Sequence, residues 1–253
     1  MSSRFADREV AVVTGAARGI GLGIASRLAS QGLTVALLDR DEQALAEAVT
    51  GLQQLGVNVI SAAADLTRSD DVARAFAEVV HRAGRVDFLV NNAGAEKNQR
   101  FLDMTEQDWD FIVDTNLRSQ FLCCKAALPG MVKNGFGRIV NISSRAWLGG
   151  FGQANYAAAK GGIVSLTRSL AIEFASKGVT VNTIAPGIID TPLFRAFKPE
   201  LQDKLKQTVP VRRIGTADDV GLAVDFFFDP AASYVTGQTL YVCGGRSLSS
   251  ASV

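Results

Sequence analysis

The chain has 253 residues, 47% hydrophobic and 20% charged, enough to bury one substantial core at the size of a single large α/β domain. Its 26 Lys and Arg against 25 Asp and Glu leave a formal charge of +1, and no segment combines clustered base with interleaved aromatics, which argues against nucleic-acid binding. Three cysteines, two of them the adjacent Cys123 and Cys124 and the third Cys243, argue against a disulfide framework; with no secretory or membrane-spanning apolar run, a soluble, cytoplasmic protein with no membrane partner is expected.

Along the chain, residues 9–14 read as a buried strand and 20–31 as a helix ended by Gly32. A second short strand covers 34–38. A helix with apolar Leu45, Val49 and Leu52 follows, then a strand at 57–63, which completes one βαβαβ mononucleotide-binding half. The alternation continues with a helix at 70–82, a strand at 86–90, a long helix at 106–132, a strand at 137–142 and a helix at 155–176. A sixth strand at 179–184, a helix at 216–228 and a seventh strand at 238–242 close the series. Apolar strands alternating with helices predict a doubly wound α/β fold, a mostly parallel seven-stranded sheet covered on both faces. No Pro/Gly/Ser linker divides the chain, so residues 1–253 are expected to form one dinucleotide-binding and catalytic domain, with a substrate loop near 188–215 and a polar tail, 246–253, exposed or packed between subunits.

Between the first strand and first helix lies TGAARGIG, residues 14–21. Gly15, Gly19 and Gly21 permit a sharp turn and close backbone approach, and the helix N-terminus presents unpaired N–H groups to a pyrophosphate, with Arg18 beside them. Asp39 ends the second strand 18 residues beyond Gly21, close to the interval at which a carboxylate can accept hydrogen bonds from an adenosine ribose and repel a 2′-phosphate. That favours NAD(H). Arg18 and Arg40 could instead pair with such a phosphate, which keeps NADP(H) open. Asp65 can receive an adenine amino group or cap the next helix, and Asn91-Asn92-Ala93-Gly94 offers a compact turn through which Asn91, Ala93 and Gly94 can approach the cofactor.

Tyr156 and Lys160 stand four residues apart on one helix face in YAAAK. A free phenol ionises near pH 10, so acid-base work at neutrality needs phenolate to be favoured by roughly 4 kcal/mol, a contribution that Lys160 and an oxidised nicotinamide can share. Ser143 and Ser144 follow the fifth strand, where a hydroxyl can orient a substrate oxygen. Asn116 is a poor helix-interior residue, and its placement suggests a local distortion holding a water that leads to Lys160. Trp147, Leu148, Phe151, Phe194 and Phe197 can build an apolar substrate pocket and lid, with Gly149-Gly150 shaping the loop and Arg145 able to meet an acidic group. His81 reads as a surface or packing residue, and no ligand set has metal-site spacing.

TGAARGIG at 14–21, NNAG at 91–94, Asn116, NISS at 141–144, YAAAK at 156–160 and IAPGIIDTP at 184–192 together resemble the classical short-chain dehydrogenases/reductases over most of the chain. The resemblance implies a single Rossmann-like domain and nicotinamide-dependent alcohol/carbonyl chemistry. Tyr156 is then the general acid/base, Lys160 its electrostatic partner and ribose ligand, Ser144 the substrate-oxygen donor and Asn116 the organiser of a proton relay. It further implies cofactor contacts at Ile20, Leu66, Pro186, Gly187, Ile189 and Thr191, and a homotetramer or homodimer built on two long helices. The family's usual serine-to-tyrosine interval selects Ser143, whereas the NISS pattern selects Ser144 with a loop one residue shorter. The implied activity is NAD(H)-dependent interconversion of a small-molecule secondary alcohol and ketone. An NADP(H)-dependent 3-oxoacyl thioester reductase and a noncatalytic dinucleotide-sensing or scaffold protein are the alternatives.

Overall fold

The computed structural model describes residues 9–54 and 56–248; the last residues of the expected tail, 249–253, lie outside the described residues. In chain order the elements are β1 (Val10–Thr14), α1 (Gly19–Ser30), β2 (Thr34–Asp39), α2 (Glu42–Gln53), β3 (Val59–Ala63), α3 (Ser69–Ala83), β4 (Phe88–Asn91), α4 (Glu106–Val113) and α5 (Ser119–Asn134). They continue as β5 (Gly137–Ile142), α6 (Ala154–Phe174), β6 (Val179–Pro186), α7 (Pro192–Arg195), α8 (Pro199–Gln207), α9 (Ala217–Phe228) and β7 (Thr239–Val242).

The strands form one seven-stranded sheet in the order β3-β2-β1-β4-β5-β6-β7, with every neighbouring pair parallel. Strand order reverses between β1 and β4, the place where a doubly wound sheet opens a crevice at its carboxyl edge. Near-continuous apolar strands arise because both faces are covered. Ala11 and Val13 of β1, Val35 and Leu37 of β2 and Phe88 and Val90 of β4 join a cluster with Ile24, Leu28 and Phe228. The alternate residues Val10, Val12, Ala36, Leu38 and Leu89 join a second cluster with Phe76, Cys123, Cys124 and Met131.

The expected single helix over 106–132 is instead interrupted: α4 and α5 are separated by a π-helical turn, Asp114–Arg118. The cause is Asn116, whose Nδ2 donates to the Ile112 carbonyl at 2.9 Å and so competes with the regular backbone ladder. The loop at 188–215 also differs from a plain loop, because it contains α7 and α8. Its two ends are stitched together by Gly215 N–H donating to the Ile188 carbonyl (3.0 Å) and Asp190 N–H donating to the Gly215 carbonyl (2.8 Å).

The start of α1 packs against the ends of β1 and β4 with no room for a side chain. A Cβ on Gly21 would lie 2.2 Å from the Gly15 carbonyl oxygen and 2.6 Å from Asn92 Nδ2. At the exposed helical Gly51 nothing lies within 4 Å. Gly21→Ala is therefore expected to cost about 1–3 kcal/mol of stability, and Gly51→Ala to add up to about 1 kcal/mol through helix propensity. Urea-unfolding midpoints measure both; a Gly21→Ala midpoint equal to the parent's contradicts the packing described.

Candidate active site

Two cavities open along the carboxyl edge of the sheet, of about 580 and 540 Å³. Ile20, Asn92, Gly94, Ala95 and Thr191 line both, so they form one continuous cleft. Gly15, Arg18, Asp39, Arg40, Asp65, Leu66 and Ala93 line one half; Asn116, Ser144, Tyr156, Lys160, Pro186, Gly187 and Ile189 line the other. Gly19 and Gly21 shape the turn beneath it without lining either cavity.

The first half is built around backbone. Thr14 Oγ1 accepts from the N–H groups of Asn92 (2.9 Å) and Ala93 (3.0 Å), and Asn92 Nδ2 donates to the carbonyls of Thr14 (3.0 Å) and Gly15 (3.1 Å). This draws the two turns so close that a Cβ on Gly15, at φ +62°, would lie 2.8 Å from Ala93 Cα. Arg18, the residue preceding α1, makes no capping bond with its side chain, so the helix N-terminus faces the cleft without one. Asp39 accepts from Ala17 N–H at 3.1 Å and Asp41 N–H at 3.2 Å, which holds its carboxylate at the cleft edge. Arg18 pairs with Asp41, while Arg40 is exposed. A dinucleotide fits this half: a glycine cradle that a Cβ would fill, an uncapped helix N-terminus for phosphate and an oriented carboxylate. Asp65 bonds Thr67 N–H (3.0 Å) and Oγ1 (2.8 Å) and still lines the cavity beside Leu66.

Asn91 does not join the cleft. It is the last residue of β4, and strand alternation turns it to the α5 face, where its Nδ2 donates to Asn141 Oδ1 at 2.8 Å and approaches Cys124 Sγ at 3.2 Å. The network continues from Asn141 to Thr167 at 2.9 Å and from Thr183 to Thr167 at 2.7 Å, all buried.

In the second half, Lys160 is buried at both ends of its bonding. Its Nζ donates to the Ile142 carbonyl at 3.0 Å, and its own carbonyl accepts from Ser143 Oγ at 2.7 Å. That bond occupies the Ser143 hydroxyl away from the cleft centre. Ser144 is placed differently: its Oγ accepts from Ala146 N–H at 3.1 Å, and its hydroxyl favours the ionised form of the Tyr156 phenol across the cavity. Lys160 Nζ lies 5.5 Å from the centre of the Tyr156 ring. Asn116 Nδ2 donates to the Ala95 carbonyl at 2.8 Å, while its buried Oδ1 has no hydrogen-bond partner among the described residues. A Cβ on Gly94 would meet that Oδ1 at 2.6 Å and Lys160 Nζ at 3.4 Å, so Gly94 is where the amide and the amine converge. An unpartnered buried oxygen beside a buried amine suits a bridging water.

The charges differ from the expectation that Lys160 pulls Tyr156 toward phenolate. Burial pushes the Tyr156 phenol up to about 12, the negative charge of Glu96 adds to this, and the Ser144 hydrogen bond opposes it. Burial pushes Lys160 down to about 8, against the raising effect of Glu96. The amine sits over the ring and bonds the Ile142 carbonyl, and the cost of desolvating both charged forms dominates.

Phe194 and Phe197 line the cavity and meet edge to face at 6.2 Å. Trp147, Leu148 and Phe151 do not: Trp147 stacks on Tyr241 at 6.4 Å, and Leu148 and Phe151 are exposed. Two cleft residues, Glu96 and Arg246, and one buried neighbour of the cleft, Asn155, escaped the sequence reading. Glu96 is held by Gln153 Nε2 (2.7 Å) and Asn98 Nδ2 (2.8 Å), and Arg246 arrives from the turn after β7. Asn155 accepts from Tyr156 N–H at 2.8 Å and donates to the carbonyls of Asp108 (3.3 Å) and Lys97 (3.4 Å). Its place next to Tyr156 was the available signal; for Glu96 and Arg246 there was none short of the fold.

The family profile described as "Enoyl-(Acyl carrier protein) reductase" matches residues 15–247. A (2S)-[(R)-hydroxy(phenyl)methyl]succinyl-CoA dehydrogenase subunit from Thauera aromatica is 43% identical over 239 residues, covering 94% of this chain and 96% of the relative. A 3-oxoacyl-[acyl-carrier-protein] reductase from Vibrio cholerae is 42% identical over 238 residues, covering 94% and 96%. Among solved structures, a putative gluconate dehydrogenase from Agrobacterium tumefaciens superimposes with a TM-score of 0.94 at 33% identity, covering 99% of this chain and 100% of the other. A putative short-chain dehydrogenase/reductase from Burkholderia xenovorans gives 0.93 at 36% identity, covering 98% and 100%. With its parallel sheet and its dinucleotide-shaped cleft, the chain belongs to the classical short-chain dehydrogenase/reductase family, enzymes that act on CH–OH and C=O groups with a nicotinamide dinucleotide.

Proposed function

We propose that the protein is an NAD(H)-dependent oxidoreductase that interconverts a secondary alcohol and a ketone, with Tyr156 as general acid/base. The observation that carries this reading is the convergence of Asn116, Ser144, Tyr156 and Lys160 on a cavity continuous with the glycine cleft. A bound nicotinamide dinucleotide supplies the hydride donor or acceptor. Gly15, Arg18, Gly19, Ile20, Gly21, Asp65, Leu66, Ala93 and Gly94 form or support its cradle, with Pro186, Gly187, Ile189 and Thr191 on the substrate side.

Ser144 orients the substrate oxygen, and Tyr156 Oη gives that oxygen a proton in reduction or takes one in oxidation. Lys160 leads the proton onward through its amine, and the buried Asn116 Oδ1 accepts a hydrogen bond from the water that continues the relay. Since the cleft holds Tyr156 as a neutral phenol well above neutrality, its own bias is toward proton donation, and oxidation gains as pH rises.

The NAD(H) assignment rests on Asp39, anchored by two backbone N–H groups at the cleft edge, and on the engagement of Arg18 with Asp41. A second reading, an NADP(H)-dependent 3-oxoacyl thioester reductase, is favoured by the names of the relatives at about 40% identity and by exposed Arg40 on the cleft wall. The half-exposed aromatics Trp109 and Phe111 on α4 and Phe121 on α5 support a homodimer or homotetramer.

Absorbance assays over an alcohol and ketone panel with both dinucleotides test these assignments. Tyr156→Phe is expected to lower kcat by about 10²- to 10⁴-fold while dinucleotide affinity is retained; near-parental turnover rejects the acid/base role. Asp39→Ala is expected to shift the NAD(H)-over-NADP(H) ratio of kcat/KM by about 10- to 100-fold toward NADP(H), the worth of one or two charge-assisted hydrogen bonds. An unchanged ratio removes the basis for NAD(H). The charge of Glu96 raises both Tyr156 and Lys160. Glu96→Gln should therefore move the pH midpoint for oxidation downward, and an upward move contradicts the charge arrangement described.

A further inference from the structure

We infer that Arg145 and Arg246 form a carboxylate-recognition subsite in the substrate cavity, so that the alcohol or ketone carries a free carboxylate a few bonds from the reacting carbon. The inference rests on the alcohol/ketone reading above and adds the substrate class to it.

The two arginines come from distant parts of the chain. Arg145 opens the short 3₁₀ turn directly after Ser144, and Arg246 follows the Gly244-Gly245 turn beyond β7. Both line the cavity that holds Ser144, Tyr156 and Lys160. Arg145 Nε donates to the Arg246 backbone carbonyl at 3.2 Å, which fixes the two residues to each other. Backbone packing fixes the pair to the protein. Arg246 N–H donates to the Cys243 carbonyl at 3.1 Å, and a Cβ on Gly244 would lie 2.6 Å from Val211 Cγ2 and 2.7 Å from Val209 Cγ1, leaving no freedom at the turn.

No carboxylate among the described residues forms an ion pair with Arg145, and its terminal guanidinium nitrogens make no hydrogen bond there. Partial burial disfavours the charged form of Arg246, and the neighbouring charge of Arg145 adds to this. Arg246 adds positive charge to the wall beside Arg145, and an entering anion is attracted to that wall. Glu96, the acid on this cavity wall, is tied to Gln153 and Asn98. A guanidinium with its planar fork free recognises a carboxylate through two parallel hydrogen bonds. Because Arg145 adjoins Ser144, which orients the reacting oxygen, the anion must lie close to that oxygen along the substrate, as in short hydroxy and oxo acids.

The test compares a 3-hydroxy acid with its methyl ester, and malonate with malonamide in a calorimetric titration, for the parent, Arg145→Gln, Arg145→Lys and Arg246→Gln. Thermal melts check that each variant is folded. The parent is expected to prefer the acid at least tenfold in kcat/KM, Arg145→Gln and Arg246→Gln to reduce that acid-over-ester ratio at least tenfold, and Arg145→Lys to restore part of it. Malonate binding that Arg145→Gln abolishes supports the subsite even if the alcohol panel is inert, an outcome that rejects the alcohol/ketone reading alone. Acid and ester turned over equally by the parent, or malonate bound equally by parent and Arg145→Gln, overturns the inference. So does a tenfold preference for the phosphate monoester of a hydroxyketone over the acid.

Discussion

The cleft depends on the latch between the first and fourth strand ends, where Thr14 and Asn92 exchange hydrogen bonds across the point at which strand order reverses. Thr14 Oγ1 satisfies two backbone donors in the 91–94 turn, and the Asn92 amide satisfies two carbonyls of the glycine turn. These groups sit at a sheet edge where the ladder has ended, so without the exchange they would need water inside the cleft. The exchange brings the turns into contact, and contact is what forbids a side chain at Gly15 and Gly21. Glycines here are thus a packing requirement of the β1–β4 crevice as well as a provision for a ligand.

A second set of polar contacts holds the half of the cleft that contains Tyr156 and Lys160. Lys160 reaches the Ile142 carbonyl with its amine while Ser143 returns a bond to the Lys160 carbonyl, so one turn of α6 is clamped to the end of β5. Beneath it, Asn91, Asn141 and Thr183 occupy aligned positions on adjacent strands and meet Thr167 of α6. Every one of them is buried, and a buried polar chain of this kind penalises any shift in register that would break it. The rigidity matters because Tyr156 and Lys160 both lose solvation where they stand. A looser helix would let them move toward water and lose the mutual placement.

Much of this was legible from local pattern. Alternating strands and helices specified the sheet because both faces are apolar, and the glycine turn, Asp39, Tyr156 and Lys160 lie on segments whose geometry is set by immediate neighbours. The misreadings share a cause. Asn91 and Asn92 look equivalent in the chain, yet strand alternation sends one to the core and the other to the cleft. The helix over 106–132 reads as one element although Asn116 signals a distortion within it, and the interruption takes the form of a π-helical turn in which that amide captures the Ile112 carbonyl. Trp147 and Phe151 follow Ser144 and are apolar, but Trp147 is taken up by Tyr241, a residue far away in sequence. Glu96 and Arg246 carry ordinary charges whose meaning comes only from the surface they share. The choice between Ser143 and Ser144 sets motif against spacing, and the fold gives the two hydroxyls different partners, the Lys160 carbonyl for one and the Ala146 N–H for the other.

The 188–215 segment, the arginine pair and the glycine-turn side of the cleft have a common base. The bridge between Ile189 and Gly215 closes the 188–215 segment next to Thr191, which lines both cavities, and the same segment supplies Val209 and Val211 against the Gly244 turn that presents Arg246. The exposed Leu193 and Leu201 lie on α7 and α8, with little packing to hold them and a cavity in front of them. Apolar side chains in that position gain by moving inward over a ligand. The turn that presents Arg246 and the segment that carries α7 and α8 therefore rest on the same packed contacts, and a displacement of one is felt by the other.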